Sequence, residues 1–169
     1  MGLLPAVAAG ASLSLTATVA LGVVIGLLAA VVMDWPMSRQ PDGFVPAYIA
    51  AAVVTRQSVD SVRLPAAMIV HHAAGGLAGL LYALLVVGLD AGVPTIATVG
   101  GVGLPAHLLA VAVVVAFIYA FFAHLVLPRA GGRTYEEQAT AVRGQWLRSA
   151  LVFGVTLAVG VPLVALSLP

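Results

Sequence analysis

From Ser12 to Met33 the chain carries no charged residue, and Asp34 is the first charged side chain it meets. A helix rises about 1.5 Å per residue, so a stretch of this length crosses the ~30 Å hydrocarbon core of a bilayer. Three more apolar stretches follow. Residues 65–89 and 105–127 hold no Asp, Glu, Lys or Arg, and residues 146–168 hold only Arg148. Unpaired backbone groups cost several kcal/mol in lipid, so the spans are expected as helices. Strands of about 10 residues with alternating polarity, which a membrane barrel needs, are absent.

Composition agrees with this reading. Hydrophobic residues make up 62% of the 169 and charged residues 8%, against roughly 25% charge in a soluble domain. A free soluble enzyme, a nucleic-acid binder and a disordered chain are thereby excluded. The net charge of +1 offers no field for nucleic acid. With no cysteine, disulfides, thiolate nucleophiles and Cys-ligated metals are excluded too. No GxSxG, P-loop, HExxH or dinucleotide fingerprint occurs, so the expectation leans away from an enzyme.

The fold predicted is all-α: a polytopic four-transmembrane-helix bundle in one membrane domain, residues 1–169. All seven basic residues are arginines. Arg39, Arg56 and Arg63 follow span one, Arg129, Arg133 and Arg143 follow span three, and Arg148 opens span four. The positive-inside rule then makes 34–64 and 128–145 cytoplasmic loops in the cell membrane, N-out and C-out. The first ten residues carry no basic side chain, so span one is expected to stay as an anchor. Asp34, Trp35 and Pro36 are expected to end it, and Trp35 and Trp146 to mark the cytoplasmic boundary. Phe44–Arg56, apolar but too short to span, reads as a helix at the inner surface. Thr134 and Glu137 have capping-box spacing, so a cytoplasmic helix is expected to start there and run toward span four, broken at Gly144.

Small residues on one helix stripe allow close approach in lipid. Gly22 and Gly26, Gly75 and Gly79, and Ala112, Ala116 and Ala120 are the packing residues expected. Ionisable groups inside spans are costly and therefore candidates for function. Asp34, His71, His72 and His124 fall in the same leaflet by position along their spans, whereas His107 enters from the opposite face and reads as structural. His124 continues the Ala112–Ala120 stripe and is expected to point inward. His71 and His72, about 100° apart on a helix, are expected to leave only one of the two central.

Val31-Val32-Met33-Asp34, His72-(x2)-Gly75-(x3)-Gly79-(x2)-Tyr82 and His124-(x3)-Pro128 together resemble small uncharacterised four-helix membrane proteins of prokaryotes, known only as domains of unknown function. The resemblance implies a fold and no activity. Three functional readings stay open. The first is a non-enzymatic accessory or assembly subunit of a respiratory or transport complex, with other membrane subunits or further copies of itself as partners besides the lipid bilayer. The second is a protein binding haem through His71, His72 and His124, or a transition metal through His72, His124 and Asp34. The third is an oligomeric channel or proton carrier.

Overall fold

The computed structural model describes residues 13–168. Ser14 caps the first helix, its Oγ accepting from the Ala17 N–H at 3.2 Å. Helix α1 (Leu15–Ser38) leads to α2 (Val45–Thr55), a 3₁₀ turn at Val59–Ser61 and α3 (Leu64–Asp90). A two-residue hairpin, β1 (Thr98–Val99) with β2 (Val102–Gly103), precedes α4 (Leu104–Phe121). A π-turn at Phe122–Val126 carries α4 into α5 (Leu127–Ala130), and α6 (Gly132–Ala165) follows. Among the described residues, four helices are long and apolar enough to cross a membrane. Their outward faces are apolar as well, with Val24, Leu77, Leu151, Val155 and Leu163 all exposed. That pattern suits a lipid surround rather than water.

Helix α1 is the hub, packed along both α3 and α6, while α4 fills the space between α3 and α6. The α1–α3 contact is backbone against backbone. A Cβ at Gly26 would stand 2.5 Å from the Gly75 carbonyl oxygen, and one at Gly22 would stand 2.6 Å from that of Gly79. Gly22, Gly26, Gly75 and Gly79 are buried there, as their spacing predicts.

Span three differs from expectation. Ala112, Ala116 and Ala120 are exposed. The packed stripe is Ala106, Ala110 and Val114, at the same four-residue step but on another face of α4. Alanine is common enough in this chain for two parallel small-residue stripes to arise on one helix, and spacing alone does not choose between them.

Three boundaries also move. Helix α1 runs through Asp34-Trp35-Pro36 to Ser38. The proline removes only its own N–H, and carbonyls of the last turn take side-chain donors as well: Ser38 Oγ to Trp35 O and Gln40 Nε2 to Pro36 O. The helix expected to start at Thr134 begins at Gly132 and is continuous with span four as α6, its non-helical break at Gln138 and not at Gly144. That helix starts before Thr134, whose side chain lies outside the described residues, as does the segment 1–12 with its anchor expectation. Trp146, expected in a boundary belt, is buried with its indole N–H on the Ile118 carbonyl. Trp35 is 65% exposed and stands beneath the Arg39 guanidinium.

The Gly100-Gly101 pair turns the hairpin with φ of +57° and +75°. A two-residue turn with both central φ positive favours glycine at each position. The turn packs on the end of α6, where a Cβ on Gly100 would meet Ala165 and Leu166. At the other end, the Asp42 N–H donates to Gln145 Oε1 at 3.0 Å and so holds the α1–α2 connection against α6. The segment between Thr55 and Leu64 carries Arg56 in the left-handed region, at φ +56°.

Candidate functional site

Because α1 continues past Met33, Asp34 is held inside a helix rather than at a loose end. Its carboxylate faces α3, seven residues or more beyond that helix's start at Leu64. His72 Nε2 lies 2.9 Å from Asp34 Oδ2, and His71 Nε2 lies 3.4 Å from Oδ1. One ligand atom from each of Asp34, His71 and His72 falls within 4.8 Å of the others. Both histidines reach the carboxylate, although their side chains leave α3 in different directions. Asp34 stands between those directions, and the glycine contact one turn further along α3 brings the helices close enough for both rings to span the gap.

The site is half-closed. The His71 side chain is 7% exposed, Asp34 27% and His72 32%. Inside it, Asp34 Oδ1 is fully enclosed and accepts no hydrogen bond. Leaving a buried carboxylate oxygen unpaired costs on the order of 1–3 kcal/mol. His71 Nε2 is also 3.2 Å from the Ala30 carbonyl oxygen. A carbonyl only accepts, so in this arrangement Nε2 carries the hydrogen and Nδ1 holds the lone pair.

His124 is not part of the group. It is exposed on the π-turn, edge-on to the Tyr119 ring at 5.8 Å between centroids. Its four-residue step from Ala120 does continue the stripe, but that stripe faces outward. A metal set of His72, His124 and Asp34 and a haem held between α3 and α4 are therefore not assembled. His71 and His72, with ring centroids 5.3 Å apart on one helix, do not flank a macrocycle either. His107 lies apart from the cluster, fully buried, between the Tyr82 hydroxyl and the Ala158 carbonyl.

Beside the cluster lies a cavity of about 260 Å³. Helix α2 forms one wall through Pro46, Ala47 and Ala50, and His71 is the single ionisable residue lining it. Phe117, Phe121, Phe122, Trp146 and Phe153 supply aromatic surface. Periodicity did not reveal this chamber, because it needs α2 folded back against α3 and Trp146 turned inward. Comparison with protein-family models, with curated proteins and with solved structures finds no match for this chain.

Proposed function

We propose that the chain is a multi-pass membrane protein that binds one divalent transition-metal ion, of the zinc class, through Asp34, His71 Nε2 and His72 Nε2. The enclosed Asp34 Oδ1, without a hydrogen-bond donor beside two imidazoles, is the observation that carries this reading. Tetrahedral ligands at 2.0–2.1 Å from zinc stand roughly 3.3 Å from one another. His72 Nε2 stands 2.9 Å from Oδ2 and His71 Nε2 3.4 Å from Oδ1, each near that spacing to its own carboxylate oxygen. An ion would take the Nε2 lone pairs of two neutral imidazoles, their ring hydrogens then on Nδ1, and three protein ligands leave one position for water or a substrate atom.

The arrangement we propose around this site is a four-helix bundle in the cell membrane, N-out and C-out, with the metal group in the cytoplasmic half. The arginines between α1 and α3 and around the α5–α6 junction support that orientation. The accessory-subunit reading has less support, because Gly22, Gly26, Gly75 and Gly79 are used up in the α1–α3 contact within the chain.

The test is elemental analysis of detergent-purified protein after exposure to Zn²⁺ and removal of excess, with Co²⁺ absorbance as the geometric readout. One ion per chain and a tetrahedral Co²⁺ spectrum, both lost in Asp34→Ala and His72→Ala, are expected. A wild-type protein without stoichiometric metal overturns the proposal, as does full loading of Asp34→Ala.

A further inference from the structure

In the metal-free protein the cavity beside His71 has a chemistry of its own, because an ion on His71 Nε2 would leave the ring hydrogen on Nδ1 and remove the acceptor there. Its lining is aromatic and aliphatic, with one polar exception. The residues at its edge, Leu77, Phe117 and Phe121, are 67%, 49% and 39% exposed. Those side chains belong to the outward faces of α3 and α4, so the mouth opens sideways between two spanning helices, toward the surrounding apolar phase. Its size lies just under the ~300 Å³ lower end of small-ligand pockets.

The polar exception fixes what the occupant must offer. His71 Nε2 is committed to the Ala30 carbonyl, so a neutral ring presents Nδ1 as an acceptor. Nδ1 has no hydrogen-bond partner among the described residues, and it is not one of the fully enclosed unpaired atoms. A water molecule is a poor partner in so apolar a chamber, since it needs two to four polar contacts. A ligand hydroxyl needs only one. Flat aromatic walls, including Phe122 and Trp146 with centroids 5.1 Å apart, favour a ring over a branched aliphatic group.

We propose that this cavity binds a lipid-soluble hydroxy-aromatic molecule, a phenol or quinol with an apolar tail, whose hydroxyl donates to His71 Nδ1 while its ring lies among Phe117, Phe122 and Trp146. The tail leaves through the mouth between α3 and α4. A phospholipid acyl chain would fill the same space without using the acceptor, which is the alternative the experiment separates.

The test uses full-length protein in detergent with EDTA, which keeps His71 Nε2 free of metal and Nδ1 an acceptor. Trp35→Phe leaves Trp146 as the reporting fluorophore. 4-Decylphenol and its methyl ether differ only in the donor hydrogen. Saturable change of Trp146 emission is expected with both, with the phenol bound about 5–10-fold more tightly, as one net hydrogen bond allows. His71→Leu is expected to bring the phenol to the ether's affinity. Ala78→Phe, which fills the chamber, is expected to abolish binding of both, with Ala74→Leu as a milder filling variant should the first fail to fold. Equal affinity for phenol and ether in the wild-type protein overturns the proposal in favour of an acyl-chain groove. Binding that survives both filling variants, or no saturable change at all, overturns it outright.

Discussion

The Tyr82 hydroxyl donates to His107 Nδ1 across 2.6 Å, and the far side of the ring fixes that direction. His107 Nε2–H donates to the Ala158 carbonyl at 3.1 Å, so Nδ1 is the acceptor. Tyr82 is 1% exposed and His107 0%, and the pair links α3, α4 and α6 in one relay of hydrogen bonds. Tyr82→Phe strands a buried acceptor and is expected to cost about 1–3 kcal/mol of stability. Denaturant unfolding in detergent measures it. The double variant Tyr82→Phe/His107→Leu removes donor and acceptor together and is expected to lose less than the two single losses added. Strict additivity would show that the two groups do not interact.

The α1–α3 contact gives a sharper test. A Cβ on Gly79 would overlap the Gly22 carbonyl, whereas one on Gly88 would meet nothing within 4 Å. Gly79→Ala is expected to destabilise by about 1–3 kcal/mol through overpacking. Gly88→Ala in the same helix is expected to be neutral or slightly stabilising. Equal melting temperatures for the two variants would remove the close contact as a source of stability.

Metal affinity separates the histidines. His124 is exposed and away from Asp34, so His124→Ala is expected to leave Zn²⁺ affinity within error of wild type. Loss of an outer-shell partner already costs about 10–100-fold in affinity, so His72→Ala is expected to cost at least that. Competition titration with a chromogenic chelator ranks the three proteins. A large drop in the His124 variant would place a ligand where the structure has an outward-facing ring.

Orientation is open to direct labelling, because the chain has no cysteine to remove. Single substitutions Ser58→Cys and Gly92→Cys fall at opposite ends of α3. In intact cells, a membrane-impermeant maleimide is expected to label the Gly92→Cys protein and to reach the Ser58→Cys protein only after lysis. The reverse pattern would invert the topology.

What the sequence discloses follows from how many constraints act on a residue. The four long apolar helices were legible because crossing lipid would impose a single rule over many positions, and the Gly22–Gly26 and Gly75–Gly79 steps were legible because only glycine allows backbone contact. Asp34 with His71 and His72 was readable as a leaflet-level grouping from depth alone. That both imidazoles converge on one carboxylate was not, since it depends on the crossing of α1 and α3. The Ala112–Ala120 stripe and His124 misled for one reason: periodicity reports which residues share a face, not what that face meets. The hairpin escapes periodicity, although Gly100-Gly101 between Val99 and Val102 is a turn signal. Its strands are two residues each, too short for alternation to register.

The sideways mouth of the cavity changes what concentration means for its occupant. Leu77 and Phe117 are the exposed lining residues, so a molecule that enters past them would arrive from the apolar phase around the helices, where a tailed phenol is already enriched by partitioning. Occupancy is then governed by moles of ligand per mole of lipid or detergent, and not by its aqueous molarity. Diluting the protein at a fixed ligand-to-detergent ratio leaves the site filled, whereas adding empty micelles drains it.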